Sequence, residues 1–410
     1  TSGTGAARLL IWRASVQAFL ARPLLGYGPD GLAPAFERYY PASLLRFEGG
    51  WVQFDRAHNE FLDMGLVGGV PAILLYLIII GWILVLGIRA ARGRQSDHAR
   101  LAAALAGGVA AYIVSNQFGF GTVGTMTQVW LFMALLLGVS RMNDPNSTSV
   151  AKTSVQFLRT SGGSGNHGFK SSNGRSSKRG RPGRAAFPTA AGVLGVAGAI
   201  AGAVSLVPAM RADAAFQQAW DRTESGDTRG LDGLTAAIEL APGDAHYYEG
   251  MAYALINLAR AGRQPAEAAG AKAVQLLSSA IDLEPRNAPL YVQRGSAEAG
   301  LAELGEPGRL QAAESDFQRA VDLAPRRAVY YEQWGQARLV NGEASEATPL
   351  FEKAIALGLA DSQLYQEYGQ ALQQSGWPVK AQRALANAQE LKAKEIRDAT
   401  SPASSNKPIL

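Results

Sequence analysis

The chain has 410 residues, no cysteine and a formal net charge of +5. Without cysteine there is no disulfide, thiolate metal site or cysteine nucleophile, and His58, His98, His167 and His246 are too scattered for a metal-ligand motif. Up to Ala209 there are 19 basic and 8 acidic residues, and from Met210 onward 20 and 26, so the basic excess belongs to one half and points to a membrane-facing loop rather than a nucleic-acid surface.

In chain order, Ala6 to Leu20 has helical periodicity, with Leu9, Trp12, Val16, Phe19 and Leu20 gathered on one face. Arg8 lies on the Trp12 and Phe19 edge and Arg13 on the opposite rim. Pro23 stops the helix, and Gly26-Tyr-Gly-Pro-Asp-Gly31 is turn-rich. It lacks the lysine and preceding strand of a phosphate loop. The titratable run Asp55-Arg-Ala-His-Asn-Glu-Phe-Leu-Asp63 then leads into Leu66 to Ile88, 23 residues without a charge. That is enough to cross a bilayer, which needs about 20 apolar residues. Leu101 to Phe120, Val123 to Val139 and Phe187 to Met210 are three further expected spans, and the 17-residue Val123 to Val139, at the short end of the spanning range, has a tilted or partly re-entrant segment as its lesser alternative.

Arginine and lysine set the orientation. Arg89, Arg92, Arg94 and Arg100 face Asp97 alone, and the loop from Ser140 to Ala186 carries nine positive charges against Asp144. Both loops belong on the cytoplasmic side, which places 1–65 and 211–410 outside. The expected division is an outer loop at 1–65, membrane helices at 66–140, a basic disordered loop at 141–186, a membrane helix at 187–210, a repeat region at 211–391 and a tail at 392–410. The chain opens on Thr1 with nothing like a signal peptide. An outer first segment then implies helices upstream, the chain being the C-terminal part of a longer polytopic protein.

The outer region is repetitive. Ala237-Ile-Glu-Leu-Ala-Pro242, Ala280-Ile-Asp-Leu-Glu-Pro285, Ala320-Val-Asp-Leu-Ala-Pro325 and Ala354-Ile-Ala-Leu-Gly-Leu359 start 43, 40 and 34 residues apart. With Tyr331, Trp334, Gly335, Ala347, Phe351 and Ala354 at matching offsets, the region resembles tetratricopeptide repeats. Such arrays form a solenoid with a concave face suited to protein partners. The expected fold is therefore all-α: polytopic transmembrane helices followed by an extracytoplasmic tetratricopeptide-repeat α-solenoid.

Arg8-Leu-Leu-Ile-Trp12, then Arg22-Pro-Leu-Leu-Gly26-Tyr-Gly-Pro-Asp-Gly31-Leu, then Ala57-His-Asn-Glu-Phe-Leu62 ahead of a glycine-containing membrane helix resembles the C-terminal signature of the O-antigen ligase and polymerase superfamily. The resemblance covers about Ala6 to Ser140. It implies a membrane glycosyltransferase of the bacterial cell envelope, moving glycan from an undecaprenyl diphosphate carrier to a lipid or glycan acceptor at the outer face of the cytoplasmic membrane, with neither metal nor cofactor. His58 would take the acceptor's proton, and Arg8 would hold the diphosphate with a planar, permanently charged fork. Arg13, Arg56 and Asn59 are further substrate-binding candidates. Plainer roles compete: His58 as an interfacial residue, Asn59 as a helix cap, Arg8 as a lipid contact. The competing function is a non-enzymatic, membrane-anchored tetratricopeptide scaffold for an envelope complex.

Overall fold

The structure, a computed structural model, describes residues 4–29, 31–45, 52, 54, 56–92, 97–117, 123–142, 207–306 and 308–400. Among them every regular element is helical. The chain divides into two compact units, one formed by Thr1–Ile73 with Pro208–Leu410, the other by Leu74–Val207. The outer loop and the repeats, expected as separate domains, thus share one unit. The expected loop at 141–186 and span at 187–210 lie almost wholly outside the described residues.

In the first unit, α1 (Thr4–Ala21) and α2 (Leu32–Tyr39) precede a short 3-10 turn at Ala42–Leu44. The buried side of α1 is Ala7, Ile11, Ala14, Ser15 and Ala18, while Leu9, Val16 and Leu20 are exposed. This reverses the face expected from the large apolar residues. Small side chains let the α1 backbone approach its neighbours, so Ala7, Ile11 and Ala14 pack with Phe36, Tyr40, Leu44 and Phe54.

Helix α3 (Glu60–Ala91, 32 residues) begins six residues ahead of the apolar run and is broken at Gly69 (φ +66°), with Pro71 inside. The break is sewn to the loop after α1. Pro71 has no N–H, so the Val67 carbonyl loses its helical donor, and it accepts instead from Gly28 N (2.9 Å). The Leu66 carbonyl accepts from Tyr27 N (2.7 Å), and Val70 N donates to the Pro23 carbonyl (2.7 Å). A Cβ on Gly69 would lie 2.5 Å from the Leu24 carbonyl carbon, so the seam requires glycine there. The turn-rich loop spends its amides on this helix.

The second unit holds the rest of α3, α4 (Asp97–Ser115) and α5 (Val123–Met142). Ile83, Ala102, Leu105, Val109, Met133 and Leu136 form its core. A Cβ on Gly87 would fall 2.5 Å from that of Ala106, the close approach that small residues allow between membrane helices. Leu74, Leu75, Ile78, Trp82 and Ile88 on α3 face outward. Among the described residues two helices, α3 and α4, are long and apolar enough to cross a membrane, and α5 contains a shorter apolar stretch at Thr125–Ser140.

The repeat region consists of paired helices: α6 (207–224) and α7 (Gly230–Leu240), α8 (Ala245–Arg260) and α9 (Ala266–Leu283), α10 (Ala288–Glu303) and α11 (Gly308–Leu323), α12 (Ala328–Val340) and α13 (Ala344–Ala356), and α14 (Ser362–Gln374) and α15 (Pro378–Thr400). The last helix runs past the boundary expected at Leu391. One bond recurs and fixes the register of the units: Tyr248, Tyr291 and Tyr331 each donate to the proline carbonyl six residues earlier, at 3.1, 3.1 and 3.2 Å.

Candidate functional site

The turn before α3 carries His58 with φ +53°, among the described residues the only non-glycine at positive φ. Two side chains brace it. Asn59 Oδ1 accepts from Leu62 N (3.1 Å), capping the helix, and buried Asp63 turns back so that its Oδ1 accepts from Ala57 N (2.7 Å). Simple helical spacing would point Asp63 away from His58. The backbone reverses at residues 57–59, so Asp63 instead fixes the residue ahead of it.

Arg56 and Asp63 line one cleft of about 500 Å³ together with Glu37 and Leu32 of the outer loop and Glu284 and Asn287 from the repeats. Arg13 lines a second, of about 370 Å³, beside Tyr39, Gln17 and Arg326. Arg8 sits exposed on α1. Arg22 stacks 4.9 Å over the Tyr27 ring, whose hydroxyl donates to the Ala18 carbonyl (3.0 Å). Burial, then the neighbouring Tyr39, raises the Tyr27 pKa. The five candidates are thus spread over the His58 turn and the two clefts, with Arg8 on open surface. Among the described residues no group of His, Asp and Glu is placed to hold a metal ion.

What joins this region to the repeats is a buried ion pair that belongs to no sequence motif. Arg327, 1% exposed, donates to Glu37 from Nε (2.6 Å) and Nη2 (2.5 Å), and Nη2 also donates to the Val52 carbonyl (2.8 Å). Its guanidinium lies 4.0 Å over the Tyr40 ring. Tyr330 donates to Glu37 (3.3 Å), and burial, reinforced by the Glu37 carboxylate, keeps that phenol protonated well above its usual range. A signal was present. In the turns after the repeated motif, Asp244, Asn287 and Asp361 hold the helix N-cap, whereas this turn has Arg327. A cation there opposes the helix dipole, so it needs a partner from elsewhere.

The family model described as O-antigen ligase matches residues 1–77, the segment that carries Arg8, Arg13, Arg56, His58 and Asn59. No curated protein matches the chain. Solved structures similar to it include a thermophilic tetratricopeptide-repeat protein of Thermus thermophilus (19% identity, 45% of this chain and 93% of that one, TM-score 0.37). PilF of Pseudomonas aeruginosa (20%, 45% and 77%, 0.36) and MamA of Desulfovibrio magneticus (17%, 45% and 96%, 0.37) are others.

Proposed function

We propose that the protein is a multi-pass glycosyltransferase of the bacterial cytoplasmic membrane, of the O-antigen ligase or polymerase type, with 1–65 and 211–410 on the outer face. It transfers or extends a glycan carried on undecaprenyl diphosphate. The observation that carries this reading is the His58 turn: a titratable residue held in left-handed backbone, cross-braced by Asn59 and Asp63, at the start of an apolar helix inside the ligase-like segment. Such a conformation costs on the order of 1 kcal/mol and collects at functional sites.

In the reaction the acceptor hydroxyl oxygen attacks the anomeric carbon, the bond to the diphosphate oxygen breaks, and the diphosphate leaves with the electron pair. His58 takes the hydroxyl proton as the new glycosidic bond forms. Arg56 receives the charge that grows on the leaving group, a task suited to guanidinium geometry, while Arg8 and Arg13, placed apart from it, hold the approaching lipid-linked donor. The Arg56 cleft, lined by both the outer loop and the repeats, is where acceptor and donor meet. The repeats recruit the acceptor or a protein partner.

Transfer from purified lipid-linked donor in detergent tests the reading. His58→Ala should insert normally and lose at least about 100-fold in rate, the loss expected for a general base. Arg8→Lys keeps the charge, discards the fork and should also slow transfer. Unchanged rates in both variants would leave the turn without a chemical role and favour the scaffold.

A further inference from the structure

A third cleft, of about 490 Å³, lies at the start of the repeats. Helix α6 supplies Phe216 and Trp220, α8 supplies His246, Glu249 and Tyr253, and α10 supplies Gln293. Trp220 and Tyr253 are stacked, ring centroids 5.6 Å apart and planes 18° apart. Phe216 backs Trp220 at 5.5 Å. Tyr253 is 51% exposed, too open to be explained as core.

The backbone is cut to fit this shelf. Counting from the tyrosine that bonds the proline carbonyl, the position two residues on holds Gln293 and Gln333 in the next two units. Here it holds Gly250, where a Cβ would lie 2.6 Å from the Phe216 ring and 3.4 Å from Trp220. A side chain there would displace the Phe216 ring that backs Trp220. At the shelf's edge Gln293 Nε2 donates to Glu249 Oε1 (2.5 Å), which leaves the second Glu249 oxygen and the Gln293 carbonyl to face a ligand.

We propose that this cleft binds a neutral saccharide, a pyranose ring lying against the open face of Tyr253, which Trp220 and Phe216 support from behind, while Glu249 and Gln293 bond its hydroxyls. A flat aromatic surface attracts the positive edge of C–H bonds, and paired carboxylate and amide groups match vicinal hydroxyls. The cleft lining includes no lysine or arginine, so an anionic ligand would meet Glu249 with no permanent positive charge beside it. An extended peptide would find no anchor for its carboxylate. The assignment of this sugar as the acceptor chain rests on the proposed transfer function; the binding does not.

The test uses the full chain in an amine-oxide detergent, which carries no sugar head group, and saturation-transfer NMR with linear trisaccharides of glucose, galactose and N-acetylglucosamine and a neutral decapeptide. At least one trisaccharide should bind saturably, with transfer strongest to the C–H protons of one ring face. Tyr253→Ala, whose fold is verified by its thermal melt, should weaken that binding about tenfold or more, the scale of one lost aromatic contact in a small-ligand site. Trp220→Phe should retain most of it. Binding is read without any lipid-linked donor, which separates failure of this site from failure of the transfer reaction. Absence of saturable binding to all three trisaccharides, equal binding by Tyr253→Ala, or displacement by the decapeptide would each overturn the proposal.

Discussion

Asp361 and Arg327 occupy the same place in neighbouring repeat turns, and their side chains do opposite things. Asp361 works locally: its Oδ1 accepts from Leu364 N (2.8 Å) and caps the helix that follows. Arg327 caps nothing and reaches a carboxylate 290 residues away in sequence. A missing cap typically costs about 1 kcal/mol, less than stranding one partner of the buried pair with Glu37 would cost, so Arg327 is held at this turn by its remote partner and not by its own helix. One position in a repeat can therefore serve either its own helix or the attachment of the array to another segment.

The largest expected effect breaks the attachment. Arg327→Ala leaves Glu37 buried without its partner and should cost about 3–5 kcal/mol in denaturant unfolding. The double variant Arg327→Leu with Glu37→Leu should cost less than either single truncation. Additive losses in that cycle would deny the pair its coupling.

A smaller effect separates the turns by pH. Burial, then Asp361 and Glu367, raises the Glu332 pKa to about 8. Because the folded state then holds a proton that the unfolded chain has released, the stability from this group is present below the ordinary carboxylate range and is lost as pH rises toward 8. We expect a loss on the order of 2 kcal/mol across that window, allowing for relaxation around the charge. Glu332→Gln should flatten the melting profile, and Asp361→Asn should shift its midpoint down. A parent melting temperature constant from pH 5 to 8 would contradict this.

The smallest effect is the cap itself. Asp244 accepts from His246 N (3.0 Å), and Asp244→Ala should cost about 1 kcal/mol, in the usual range for an N-cap. A loss as large as that of Arg327→Ala would erase the distinction between the two kinds of turn.

Much of the helical layout is written locally and was legible. The recurring Ala-x-x-Leu-x-Pro ends mark the repeats, and Tyr248, Tyr291 and Tyr331 keep the register with the same carbonyl bond in each. The apolar run from Leu66 is equally plain. The side α1 buries was not, because large apolar residues dominate a periodicity reading while Ala7, Ala14 and Ala18 are the ones that let helices approach. At the candidate site, His58, Asn59 and Arg56 could be picked out from their order in the chain. The bracing by Asp63 could not, since it depends on a backbone reversal at His58. Glu37 was invisible for a different reason: its partner is remote, and only the misplaced cation at a cap position hinted at a long-range bond.

The seam between the loop after α1 and the broken start of α3 bears on the order of assembly. Until Tyr27 and Gly28 arrive, the carbonyls of Leu66 and Val67 lack their donors, since the helix is broken there. Seating of the helix and docking of the loop are consequently a single cooperative step. A chain halted before that step would present two bare carbonyls where the amides of Tyr27 and Gly28 belong.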